Sequence, residues 1–437
     1  MQTVKDVITH CYALHERGDY QEMLRILDDM FGKFDSVNPS ALYLYAVGLA
    51  MSGCPGMAKQ LLLQLVDITP DNPGIWQNLG VTLRNFERFE DGQKALKRAY
   101  ELNPERAEIL YSYGATFINA GNPKEAEKYL RRAIEIAPDH AGAHMNLALS
   151  LLEQERYEEA WPHWVYRWQL PERTSHLRPF KAPRWDGKAV GTLAIHGEQG
   201  LGDEILFMSV FKQVRPLAAE IIVEANPQLC ELFARSLSTA VYPDHDSLIK
   251  AEGEPDAFIP MGDLFGVVGL PDGRPYLSAI PALRRDAGRK RVGIAWKGGL
   301  TRTFRKHRSL NLEQLKPILE TPGIEFVSLQ HGPAAIVNND ELKPYGIEPM
   351  EGDFNALISR IASCDLIITP CQTNVHIAGA LGIPAWVMTP KQCAWRYTGS
   401  TERMPFWNSV KLYRQDGTQM WNPVIQRIAG DLRKEFV

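Results

Sequence analysis

The 437-residue sequence has little of what marks several large classes of protein. No run approaches the roughly 18–20 consecutive apolar residues of a membrane-spanning helix, which excludes a helical membrane protein. The opening stretch, MQTVKDVITHCYALHERGDY, carries charges throughout and lacks the apolar centre of a secretory signal. The six cysteines, Cys11, Cys54, Cys230, Cys364, Cys371 and Cys393, are scattered, with no C-x-x-C pair. That excludes a disulfide framework and a thiolate zinc site, and it fits a reducing compartment. Charge of one sign is also missing: 48 Lys and Arg against 52 Asp and Glu leave a net charge of −4. Nothing in that balance draws the chain to nucleic acid or to an anionic membrane. The expectation is a cytoplasmic protein of two or three domains, with ordinary apolar (45%) and charged (23%) fractions.

What the sequence does have begins with a repeat. Trp76, Leu79, Gly80, Leu83, Gly92, Leu96, Ala99 and Pro104 are followed, 34 residues later, by Leu110, Tyr113, Gly114, Phe117, Ala126, Leu130, Ala133 and Pro138. A further period gives His144, Leu147, Ala148, Leu151, Ala160 and Trp164; stepping back gives Leu42, Tyr45, Ala46, Leu49, Ala58, Leu62, Leu65 and Pro70. Residues 4–38 form a weaker first unit. This pattern resembles the tetratricopeptide repeat (TPR), with small residues where paired helices cross and a proline ending each second helix. Such pairs cannot bury their apolar faces alone, so they stack into an α-solenoid, here spanning 1–170, whose concave surface suits a protein partner. Alternatively, the array only props up its neighbour. Trp161, Trp164, Tyr166 and Trp168 are expected to cap the solenoid, and a proline-rich linker occupies 171–187.

Beyond 188, short apolar strands alternate with helical stretches. GTLAIH, EIIVEA and DAFIPM form one set; RVGIAW, IEFVSLQ, CDLIIT, IPAWVMT and VKLYRQ form another. Alternation of this kind implies parallel sheets covered by helices, so two Rossmann-like domains are expected, at 188–285 and 286–415. A terminal helix within 416–437 is expected to return to the first of them. Between strand and helix in the first domain lies IHGEQGLGDEI, a glycine-rich turn that ends on two acids, Asp203 and Glu204. Asp203 could be a first-turn helix residue favoured by the dipole. At a cleft rim it could instead take a proton from an incoming hydroxyl.

HGEQGLGDEI, RVGIAWKGG, RSLNLEQLKPIL, PGIEFVSLQHGP, CDLIIT, VHIAGALGIPAWVM and AWRY occur in that order. Together with the repeats they resemble a TPR-fused glycosyltransferase of the lipopolysaccharide-heptosyltransferase-like, GT-B type. Some bacterial members of this architecture are implicated in glycosylating flagellin. The resemblance implies a metal-independent, inverting transferase that uses a nucleotide-sugar as co-substrate, with no separate cofactor. The family's L-G-D motif falls on Leu201-Gly202-Asp203, which makes Asp203 the base and Glu204 a substitute, with Gln199, Gly200 and Gly202 admitting the acceptor. On the donor side, Lys297, Arg302, Arg305 and Arg308 follow a strand and suit a phosphate, although such a run can be a solvated loop. Gln330, Thr373, Asn374 and His376 complete the donor set, His376 matching the family's histidine. Cys371-Gln372 stands where the family has Asp-Thr. Two other readings stay open: a non-catalytic repeat adaptor with a degenerate transferase domain, and a transferase for a glycan or lipid acceptor.

Overall fold

A computed structural model describes residues 3–33, 38–85, 88–171, 177–280, 288–298, 308–331, 339–399 and 401–436. The chain divides into two compact units, Met1–Gln154 and Glu155–Val437.

The first unit consists, among the described residues, of nine helices of 13 or 14 residues: Val4–Arg17, Tyr20–Lys33, Pro39–Met51, Pro55–Ile68, Pro73–Asn85, Phe89–Leu102, Ala107–Asn119, Pro123–Ile136 and Ala141–Glu153. Proline opens several of them, at a position where its missing N–H and fixed φ cost nothing. The small residues of the 34-residue period sit where helices cross. A Cβ on Gly80 would lie 2.5 Å from Leu96 Cγ, and one on Gly92 would lie 2.9 Å from the Gly80 carbonyl oxygen. Leu62, Leu65, Ile75, Leu79 and Leu83 join successive helices in one buried cluster. The TPR-like stacking expected from the repeat is therefore present.

The second unit opens with helix Tyr157–Trp164 and a 3-10 turn, Val165–Gln169. A first sheet follows, built from β1 (Val190–His196), β2 (Ala218–Glu224), β3 (Ala240–Tyr242) and β4 (Ala257–Pro260). Its order is β3-β2-β1-β4, with every pairing parallel. The second sheet contains β5 (Lys290–Ile294), β6 (Ile324–Ser328), β7 (Leu366–Pro370), β8 (Ala385–Thr389), β9 (Arg403–Met404) and β10 (Trp407–Arg414). Its order is β6-β5-β7-β8-β10-β9, parallel except for β9 at the edge. Every residue of β7 and β8 is buried, as expected of strands covered on both faces.

Two expectations are corrected. The unit boundary falls at residue 154/155 and not at 170, because the tryptophan-rich segment after 155 is bonded into the α/β unit. The terminal helix, Asn422–Phe436, does not return to the first sheet. Ile425, Ile428 and Leu432 repeat at helical spacing and pack with Ile294, Phe326, Trp386, Tyr413, Leu315 and Ile318 over the second sheet. Asp431 fixes the docking by accepting hydrogen bonds from Tyr413 Oη (2.8 Å) and Lys411 Nζ (3.1 Å).

Candidate active site

Each sheet reverses its strand order once, between β1 and β4 in the first and between β5 and β7 in the second. Connections leave such a reversal in opposite directions and open a crevice at the carboxyl ends of the strands, where open α/β sheets bind ligands.

The first crevice is filled by the protein itself. Arg167, fully buried, lies between the loops after β1 and β4. Its Nε and Nη2 donate to the two carboxylate oxygens of Glu198, and its Nη1 donates to Asp263 Oδ1 at 2.7 Å. The Gly262 N–H also donates to Glu198 (2.8 Å), and Arg184 pairs with Asp263. The guanidinium stands 5.0 Å from the Trp164 ring centroid and 4.4 Å from that of Trp168. Trp161, Trp164 and Trp168 are buried in this core, so they close the second unit from within.

The turn after β1 is pinned by the Gly197 N–H, which donates to the Glu224 carbonyl at 2.8 Å. Gln199 takes a left-handed φ of 68°, a conformation that costs a non-glycine residue about 1 kcal/mol. Gly200 caps the short helix Leu201–Phe207, whose third residue is Asp203. Two adjacent acids then meet opposite fates. Glu204 turns inward, is buried, and accepts a hydrogen bond from the Asn226 N–H at 2.9 Å. Burial, with Glu224 and Asp203 nearby, pushes its pKa up to about 8, so it holds its proton at neutral pH. Asp203 turns outward, with its side chain 24% exposed, and pairs with Arg396 from the turn after β8. Gly202 faces helix Thr373–Leu381: a Cβ there would stand 3.1 Å from His376 Cδ2 and 3.4 Å from Thr373 Cα. The glycine lets the two helices touch, which brings the turn after β1 up to the second crevice.

In that second crevice the loop after β5 carries Lys297 and the turn after β7 leads into the Thr373 helix. Gln330, buried, accepts the backbone N–H groups of Trp296 (2.6 Å) and Lys297 (2.7 Å), which fixes the loop that presents Lys297. Asn374 Nδ2 donates to the Leu329 carbonyl at 3.1 Å. The Gln372 side chain donates to Thr369 Oγ1 (2.9 Å), leaving the Thr373 helix with no side-chain cap at its N-terminus. Arg308 Nη1 donates to the Cys371 carbonyl at 2.8 Å, which sets a guanidinium beside that helix end. Burial pushes the Cys371 thiol far up, so this cysteine is no nucleophile. His376 is buried and held at both ring nitrogens. Trp407 Nε1 can only donate, so His376 Nδ1 accepts (3.2 Å) and Nε2 carries the proton toward Tyr397 Oη (3.0 Å). Burial, then Arg396, pushes its pKa down to about 3.

The structure thus gathers Asp203, Lys297, Arg308, Thr373 and His376 around the two turns. Within that group His376, like Gln330 and Asn374, spends its polar atoms on internal partners. Arg302 and Arg305 lie outside the described residues. Sequence reasoning missed Arg396, Arg167 and Glu198. The signal for the two arginines is their tryptophan neighbours, in AWRY and YRW, since guanidinium groups stack on aromatic faces.

Residues 59–174 match the model of the cytochrome c-type biogenesis protein H TPR domain. That stretch is therefore a TPR domain. A curated relative, Protein FlbA of Caulobacter vibrioides, is 27% identical over 327 residues, 65% of this chain and 54% of the relative. The chain thus spans about half of FlbA's length. Among solved structures, a thermophilic TPR protein of Thermus thermophilus is 22% identical, with a TM-score of 0.35, and the likeness covers 39% of this chain and 93% of that one. MamA from Desulfovibrio magneticus is 17% identical, with a TM-score of 0.33, covering 40% of this chain and 100% of that one.

Proposed function

We propose that the protein is a GT-B glycosyltransferase that moves a sugar, with inversion, from a nucleotide-sugar to a hydroxyl of a protein acceptor. The observation that carries this reading is the apposition of a carboxylate from one sheet's turn and cationic loops from the other's, at Asp203 and Arg396. Asp203 takes the proton of the acceptor hydroxyl as its oxygen bonds to the anomeric carbon. The bond from that carbon to the phosphate oxygen breaks, and its electron pair stays on the phosphate. Lys297 and Arg308, with the uncapped N–H groups of the Thr373 helix, offset the charge that develops there. Gln330, Asn374 and His376 hold the loops that present them. The TPR array suggests a protein partner, and the resemblance drawn from the motifs makes a flagellin-like Ser or Thr the acceptor of choice. Docking on the array would raise the effective concentration of that hydroxyl.

A thermal-shift panel of nucleotides and nucleotide-sugars tests the reading, because a ligand that binds only the folded state raises its melting temperature. One nucleotide class should stabilise the protein. Asp203→Asn should then cut transfer by roughly 10²–10⁴-fold, the usual contribution of a general base. If no nucleotide stabilises the chain, the transferase reading fails. The adaptor reading, which the Cys371-Gln372 replacement favours, then takes its place.

A further inference from the structure

The contact between Asp203 and Arg396 joins two residues with opposed duties. Arg396 sits in the 3-10 turn Trp395–Tyr397, after the last parallel strand before the edge hairpin. Its Nη2 reaches the turn after β1, where it meets Asp203 Oδ1 and, at 3.3 Å, Gln199 Oε1. The guanidinium lies 4.8 Å from the ring centroid of Trp395. That ring is itself buried and packed edge-on against Phe406, at 5.4 Å between centroids. The platform is therefore fixed, and the planar head, with its side chain 13% exposed, lies against the turn after β1. Among the described residues its buried Nε has no hydrogen-bond partner, so the head keeps a donor in reserve. Next in the chain, Tyr397 Oη meets His376 Nε2, in the helix whose N-terminus Arg308 attends.

A guanidinium placed in this way suits a phosphate better than a single carboxylate, because phosphate accepts its fork bidentately and carries more charge. A carboxylate oxygen held by a guanidinium, in turn, has its lone pairs engaged and is poorly placed to accept a hydroxyl proton. We propose that Arg396 is shared between Asp203 and the donor diphosphate, so that arrival of the donor draws the guanidinium away and releases the base. This rests on the transferase reading and adds to it a residue and an order of events. The donor binds first, and Asp203 acts only in the loaded site, which protects the sugar from adventitious activation.

Titration calorimetry on the full chain, using the nucleoside diphosphate of whichever nucleotide class stabilises it, provides the test. Asp203→Asn removes the charge that competes for Arg396, so it should tighten nucleoside diphosphate binding by about three- to tenfold, the scale of one partly exposed ion pair. Arg396→Lys, which keeps the charge but loses the fork, should weaken binding. In the double variant the gain from Asp203→Asn should vanish. If the wild-type protein binds and Asp203→Asn leaves the affinity unchanged or lower, the pair is a static brace and the proposal is overturned. A gain that persists in the Arg396→Lys background would overturn it too, since the gain would not pass through Arg396. If the wild-type protein binds no nucleoside diphosphate, the transferase reading falls, and the sharing of Arg396 falls with it.

Discussion

Glu204→Gln should stabilise the protein in alkaline solution and leave it nearly unchanged in acid. Glu204 is buried, its one resolved hydrogen bond comes from the Asn226 N–H, and Glu224 and Asp203 face it, with Arg178 already paired to Glu224. The unfolded chain gives up this proton near the ordinary value of 4.5, whereas the folded chain keeps it until about 8. Between those values the unfolded state binds fewer protons, so stability falls as pH rises, by about 1.4 kcal/mol per unit. The loss accumulates to about 4 kcal/mol by pH 8 and stays constant above it. Gln has the shape of the protonated acid and still offers an oxygen to Asn226, but it has no proton to lose. For a unit of this size, about 2 °C of melting temperature corresponds to each kcal/mol. The variant should therefore match the wild-type protein near pH 5 and melt about 8 °C higher near pH 8. Differential scanning of both proteins across pH 5–9 reads this directly, and taking their difference cancels the opposite titration of His196 and His376, two imidazoles whose burial pushes their pKa values down to about 4 and about 3. A variant that melts lower than wild type at pH 8, or a difference that does not change with pH, would mean that Glu204 is ionised and satisfied in the fold.

Three further outcomes follow from particular contacts. Arg167→Ala leaves Glu198 buried without its guanidinium and Asp263 with Arg184 alone, and should cost the second unit about 3–5 kcal/mol in denaturant unfolding; Arg167→Lys should recover little, because one ammonium cannot hold two carboxylates as the fork does. Gly80→Val places a side chain where even a Cβ meets Leu96 and Gly92, so the first unit should lose about 2 kcal/mol or more by circular dichroism melting while the second keeps its transition. Lys297→Ala and Arg308→Ala should each weaken nucleotide-sugar binding and slow transfer; unchanged affinity in both, measured by calorimetry, would make the loop after β5 a solvated one.

Much of this architecture was legible because it is written locally. The 34-residue period places small residues at Gly80 and Gly92, where helices must cross, and eight of the strands announce themselves as apolar runs bounded by turn residues. The strands at Ala240–Tyr242 and Arg403–Met404 escaped notice because three and two residues carry no pattern. The strand-to-helix turn at Gly197 was legible as well, since a glycine-rich run between an apolar strand and a helical stretch is a local signal. What a local reading could not supply were pairings between distant positions. Arg167 meets Glu198 and Asp263, 31 and 96 residues away, and Arg396 meets Asp203 from the turn after β8 in the other sheet. The terminal helix was misplaced for the same reason: its apolar stripe is plain, but nothing in the stripe says which sheet it covers.

The plug in the first crevice has a consequence for how such a chain can be taken apart and reassembled. Helix Tyr157–Trp164 continues the spacing of the repeats, yet the arginine three residues beyond it neutralises two acids deep in the α/β unit. A fragment begun at the proline-rich stretch near residue 177, the natural cut by eye, would uncover Phe265 and the Gly262 loop and leave the buried Glu198 without its guanidinium. A fragment begun at Glu155 would carry its own stopper. The last repeat-like helix must therefore travel with the domain it plugs, whatever is done to the repeats before it.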